Sequence, residues 1–110
     1  MNKAVGLLGI CRRAGKLQCG HDVVKESIVS GKAELVLLAV DASLRLKDEA
    51  VRLCSGNERR IPVVITTMNM ADFYKAVGKK SAIFSVTDTG FATTLLTKYR
   101  EELDDNEIQG

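Results

Sequence analysis

Tryptophan is absent from this chain, proline occurs once, and aromatic residues make up only 5% of its 110 positions. So few rings argue against a sheet platform that stacks several bases on exposed aromatics. No Pro- or Ser-rich stretch, low-complexity segment or internal repeat offers a point of division, and the length suits one domain with a real core. No apolar run reaches the roughly 18 residues that a transmembrane helix needs. The opening MNKAVGLLGICRRAGK is too briefly apolar for a secretory leader, and it ends in Cys11-Arg12-Arg13 instead of small residues. It reads as an amphipathic first helix, and the protein as cytoplasmic.

Cysteine and histidine are scarce too. Cys11, Cys19 and Cys54 form no CxxC pair and leave one over, which suits buried thiols in a reducing compartment. His21 is the only histidine. Cys19, His21 and Asp22 could be pictured as metal ligands, but no second cluster has metal-site spacing, so no metal or other cofactor is expected. The P-loop, the GxSxG elbow and the HExxH helix are all missing. Gly6 and Gly9 make no dinucleotide fingerprint, because no strand precedes them. Cys19 and His21, two residues apart, offer the one route to covalent catalysis, and Asp22 is badly placed to orient that imidazole. The ordinary reading of Cys19 is a small core residue, and no enzyme is expected.

What is present is a divided charge. Residues 1–100 hold all 16 Lys and Arg and 9 of the 14 acids, giving +7, while residues 101–110 hold the other 5 acids, giving −5. A basic body attracts polyanions, nucleic acid first, although the same charges spread evenly would serve solubility alone. The expected organisation is one domain over 1–103 and an acidic tail over 104–110.

Two apolar periods alternate along that domain. Asn2 can cap a helix running to about Ala14, with Val5, Leu8 and Cys11 on one face, Gly15 as its stop, and Gly6 and Gly9 free to approach a neighbour. Leu17 to Cys19 reads as a short strand. A second helix runs from His21 to about Ser30, turning Val24, Ser27 and Ile28 inward. AELVLLAVDA and IPVVITT read as strands buried on both faces, the proline standing at the start of the second. Ser43 caps the helix between them. Asn69 and Asp72 mark a fourth helix ending near Val77-Gly78, AIFSV is the last strand, and Asp88 opens a final helix to about Leu103. The alternation describes an α/β fold, a three-layer α/β/α sandwich around a small mixed sheet of about four strands.

The polar residues gather where the second helix begins. Gly20 lets backbone approach a ligand, and the free amides of the first turn favour negative charge. Asp22 there would also steady the helix with no ligand at all, by roughly 0.3–1 kcal/mol. His21 and Lys25 could equally be solvated surface residues. Arg12, Arg13 and Lys16 lead along the chain towards this point, and an electropositive rim around the unpaired amides is expected.

In order, LLGICRRAGKL, a glycine, SGKAELVLLAVDAS, IPVVI and AVGKKSAIFSVTDTGFA resemble a bacterial member of the L-seven-Ae / L-thirty-e family, of the YlxQ-like kind. That family comprises ribosomal and kink-turn RNA-binding proteins, and the likeness spans about residues 2 to 97. It implies the same α/β/α sandwich and an RNA face built from three segments: Gly20 to Glu26, Asp41 to Ser43, and Val77 to Ser81. Within that face Gly20 would give close backbone approach, His21 and Asp22 would contact base edges, Val77 would cover an extruded base, and Lys25, Lys79 and Lys80 would meet phosphates, with Asp41, Ser43 and Gly78 completing the binding loops. Arg12, Arg13 and Lys16 would add further phosphate contacts. The implied partner is RNA, ribosomal or otherwise structured, on the ribosome or off it; no membrane partner and a monomer are expected.

The family's kink-turn pattern is an Asn-Glu pair followed after two residues by Lys. Aligning Gly20 and Gly31 places Asp22, Val23 and Glu26 at those positions. Lys25 sits one residue earlier, about 100° around the helix. A protein-interaction module that has lost RNA is the alternative on the same fold.

Overall fold

The computed structural model describes residues 4–56 and 58–109. The expected cap Asn2 lies outside them, and α1 (Val5–Arg13) starts behind Ala4 with Leu8 and Cys11 fully buried. Gly15 takes φ +74, a left-handed conformation that only glycine adopts without cost. Its amide bonds Arg12 O at 2.9 Å and that of Lys16 bonds Cys11 O at 3.0 Å, a Schellman closure that turns the chain into β1 (Leu17–Cys19). α2 (His21–Val29) ends the same way at Gly31.

β2 (Leu35–Leu38) and β4 (Ile83–Val86) are buried at every position, as their unbroken apolar runs predict. Between them come α3 (Leu44–Ser55), β3 (Val63–Ile65) and α4 (Met70–Val77), and α5 (Thr89–Gln109) closes the chain. Ser43 Oγ accepts from Leu46 N at 3.1 Å, Asn69 and Asp72 form a full capping box, and Asp88 Oδ2 accepts from Phe91 N at 2.9 Å. Each expected cap on the described residues is therefore in place. α5 runs on past Leu103 into the acidic segment, which contains no glycine or proline before position 110 to stop it.

The sheet order is β1-β4-β2-β3, with β4 antiparallel to both β1 and β2 and β3 parallel to β2. Alternation along each strand builds two cores. Leu35, Leu37, Phe84 and Val86 face α1, α4 and α5, whereas Val36, Leu38 and Ile83 face α2 and α3. This is the expected three-layer α/β/α sandwich. One strand departs from expectation. IPVVITT is not buried on both faces: β3 lies at the sheet edge, Val63 and Val64 are half-buried, and Ile65 is 49% exposed. With β2 as its only strand neighbour, it lacks the second flank that would bring helices over both sides. Pro62 suits that place, since its carbonyl accepts from Val36 N at 3.0 Å and no donor is asked of it.

Gly9 does allow a close approach: a Cβ there would lie 3.6 Å from Ala76 O, where α1 crosses α4. Gly6 has nothing within 4 Å of that position, so the same expectation does not hold for it.

Candidate nucleic-acid interface

Antiparallel pairing puts the end of β1, the start of β4 and the end of β2 at one edge of the sandwich. The start of α2 and the loops beside it therefore meet there, although they are far apart in sequence. Gly20 takes φ +97 and ψ 146, a region essentially reserved for glycine, and nothing stands within 4 Å of where its Cβ would be. The residue is needed for its backbone shape, and the space above it is open.

The Gly20 amide is occupied. It donates to Ser81 Oγ at 3.1 Å and to Ile83 O at 3.3 Å. Ser81 Oγ in turn donates to Ile83 O at 2.7 Å and accepts from Ile83 N at 3.2 Å. One hydroxyl thus fixes the loop before β4 against the start of α2. The first-turn amides that follow receive no side-chain cap and stay available to an anion.

His21 turns away from them. Its Nε2 lies 2.7 Å from Glu49 Oε1 on α3 and its Nδ1 3.2 Å from Asp22 Oδ1. Glu49, then Asp22, raises the imidazole pKa above its ordinary 6.5, and His21 lowers that of Glu49. The imidazolium's contribution to stability is therefore complete below about pH 6.5 and fades as pH rises through the raised value; that of Glu49 fades as pH falls through its lowered one. Between these limits the α2–α3 bridge is charged on both sides. In an NMR titration of the sole imidazole, the midpoint should exceed 6.5 in the wild type and fall towards 6.5 in Glu49→Gln. An unmoved midpoint would remove the bridge as its cause.

Asp41 and Ser43 have structural work in the loop after β2. Asp41 Oδ1 accepts from Met70 N at 2.9 Å, holding the first turn of α4, and Ser43 caps α3. Lys47 Nζ bonds Val40 O at 2.8 Å. Gly78 takes the left-handed turn that ends α4, and Lys79 and Lys80 are exposed beyond it. Lys25 is exposed on α2 and its charge is felt by Glu49.

Three expectations need correction. Val77 is the last residue of α4 and only 3% exposed, packed in the core with Phe73, so it does not cover a base from the loop. Arg12 and Lys16 stand at the opposite end of β1 from Gly20, about 13 Å away by strand length for Lys16. Arg13 folds back along its own helix, its Nη1 3.7 Å from where a Cβ on Gly9 would be, beside the α1–α4 crossing. The rim, finally, is not uniformly positive. Its three segments carry Lys25, Lys79 and Lys80 against Asp22, Glu26 and Asp41. The cationic half lies towards the loop before β4.

Among the described residues, no group of three His, Cys, Asp or Glu stands close enough to hold a metal ion. Burial pushes the Cys54 thiol, and burial with Asp88 the Cys11 thiol, up to about 11, which keeps both protonated and inert at neutral pH. Cys19 is half-buried. No helix among the described residues is long and apolar enough to cross a membrane.

Sequence reasoning missed Ser81 as the staple and Glu49 as the partner of His21. Neither belongs to a motif, and they lie 61 and 28 residues from the groups they bind.

Known proteins resemble this chain over most of its length. The chain is 33% identical over 90 residues to "RNA-binding protein YlxQ" of Enterococcus faecium, covering 82% of this chain and 84% of that protein. It is 34% identical over 92 residues to the protein of the same name from Bacillus subtilis (strain 168), covering 83% and 89%. A solved protein of unknown function from Bacillus halodurans superposes with a TM-score of 0.84 at 29% identity, covering 91% of this chain and 99% of that one. A 15.5-kDa RNA-binding protein from Giardia lamblia shares the fold, with a TM-score of 0.70 at 18% identity and coverage of 88% and 84%. The model of the ribosomal protein L7Ae/L30e/S12e/Gadd45 family matches residues 2–96, and the chain belongs to that family.

Proposed function

We propose that this chain is a non-catalytic RNA-binding protein that holds a structured RNA, of kink-turn type or otherwise sharply bent, against the start of α2 and the loop before β4. The setting is the cytoplasm, on the ribosome or on another folded RNA. The observation that carries this reading is the Ser81 bond to Gly20, which keeps uncapped helix amides beside Lys79 and Lys80 before any ligand arrives. The amides are suited to phosphate oxygens and base-edge acceptors, Asp22 to base-edge donors, and the lysines to the backbone. Asp22, Val23 and Glu26 stand where the family's amide, acid and lysine would be, so base recognition here uses different groups. A protein that binds the bent form more tightly than the straight one shifts the RNA towards the bend.

The test is titration of a bulged RNA hairpin with tandem G·A pairs into the protein across a range of salt. About four neutralised phosphates give a log–log slope near −3. A salt-independent affinity, or none, overturns the reading. The even charge of the three segments favours one rival, a protein-interaction module on the same fold, for which binding to RNA would be absent at low salt too.

A further inference from the structure

Glu49, His21 and Asp22 form a row that starts on α3 and ends in the first turn of α2. The Glu49 side chain is 28% exposed, that of His21 48%, and that of Asp22 fully, so the row leads from the α2–α3 seam out to solvent. His21 is the only histidine, and its imidazole lets the row change charge near neutral pH. The amide end of a helix disfavours a cation. Two carboxylates nevertheless hold the imidazolium there, Nε2 donating to Glu49 Oε1 at 2.7 Å and Nδ1 to Asp22 Oδ1 at 3.2 Å. A neutral imidazole has a single N–H and cannot serve both. The shorter bond, to Glu49, keeps that N–H, and a lone pair on Nδ1 then faces the Asp22 oxygen. Lys25 on α2 and Arg52 on α3 are the cations that act on Glu49, and the loop before β4 adds Lys79 and Lys80. Otherwise the seam presents carbon, from Ile28, Leu46, Ala50, Leu53 and Ile83.

We infer that Glu49, acting through protonated His21, positions the Asp22 carboxylate to accept from a base-edge donor, and that RNA binding weakens when His21 gives up its proton. The inference rests on the RNA-binding reading and makes that binding proton-coupled. A carboxylate that faces a polyanion needs a cation behind it, whereas the neutral amide of the family's pattern does not. His21 supplies that cation from a second helix. With the proton, the two carboxylates and the imidazolium carry −1; without it they carry −2. RNA therefore favours the protonated row on charge as well as on geometry. Because the carboxylates raise the imidazole above its ordinary value, the protonated row is complete below about pH 6.5 and fades as pH rises through the raised value. Coupling is reciprocal, so bound RNA holds the proton more tightly in turn.

The probe is the bulged hairpin with tandem G·A pairs, titrated into the full chain at about 0.1 M salt between about pH 6 and about pH 8.5. Wild-type affinity should fall by about fivefold across that range, the scale of one unit charge facing a phosphate through water. His21→Gln should show no such fall. Glu49→Gln should move the midpoint of the fall towards about 6.5, in step with its imidazole midpoint by NMR. The midpoint is the readout for that variant, because losing a carboxylate favours a polyanion by itself. In the wild type, saturating RNA should raise the imidazole midpoint above that of the unbound protein. The row lies at the surface, so both variants should melt within a few degrees of the wild type. If the wild type binds with the expected salt dependence but equally at both ends of the range, the proton coupling is overturned while RNA binding stands. A fall that persists in His21→Gln, or an unmoved midpoint in Glu49→Gln, overturns it too. If no RNA is bound at low salt anywhere in the range, both readings fall.

Discussion

Replacing Phe84 by Ala should destabilise the domain by about 3–5 kcal/mol and lower its melting temperature by about 15 °C or more. Phe84 is fully buried in β4, the strand hydrogen-bonded on both sides, and it is paired opposite Leu37 and Cys19. Its ring stacks on Phe73 of α4, with centroids 4.4 Å apart and planes 24° apart. The loss combines the transfer free energy of the ring, the aromatic contact and a cavity. Collapse cannot refill that cavity cheaply, because β1 and β2 hold the strand in register on either side. Phe84→Leu retains most of the volume and should recover most of the loss. A shift below about 5 °C for Phe84→Ala in thermal unfolding would show that the α4–sheet contact does not carry the fold. The consequence reaches the candidate interface, since α4 and the start of β4 hold Lys79, Lys80 and Ser81.

The parts of this fold that were legible in the sequence are those decided by near neighbours. Capping oxygens at Ser43, Asn69 and Asp88, stops at Gly15 and Gly31, and the unbroken runs in β2 and β4 each act within a few residues of themselves. The edge position of β3 does not. IPVVITT and AELVLLAVDA look alike locally, and only pairing across the sheet decides which of them has two flanks. Val77 was readable in principle: it stands four residues after Phe73 on one helix face, a spacing that predicts burial, but its place before Gly78 suggests a loop. Arg12 and Lys16 are near Gly20 in sequence and far from it in space because an extended strand lies between them. The contacts that assemble the site, Gly20 with Ser81 and His21 with Glu49, join different elements. No periodicity encodes them.

Reversing Lys79 and Lys80 together to Glu should lower affinity for the bulged hairpin by about tenfold or more near 0.1 M salt. Both side chains are exposed beyond the end of α4, so the fold does not depend on them and the melting temperature should be unchanged. The salt dependence is the sharper readout. Each phosphate that is no longer neutralised takes away about 0.7–0.9 units of log–log slope, which moves the slope from near −3 to about −1.5. Reversal of Arg12 and Lys16 provides the contrast. It changes net charge by the same amount, but at the other end of β1, about 13 Å from Gly20 for Lys16 and beyond a Debye length of about 8–10 Å. Affinity should then fall only a few-fold, with little change in slope. Equal losses from the two double variants would mean that RNA responds to net charge alone, and that no oriented face exists at the start of α2. A loss confined to Lys79 and Lys80 places the polyanion over the cationic half of the rim, where Ser81 already holds the loop against Gly20.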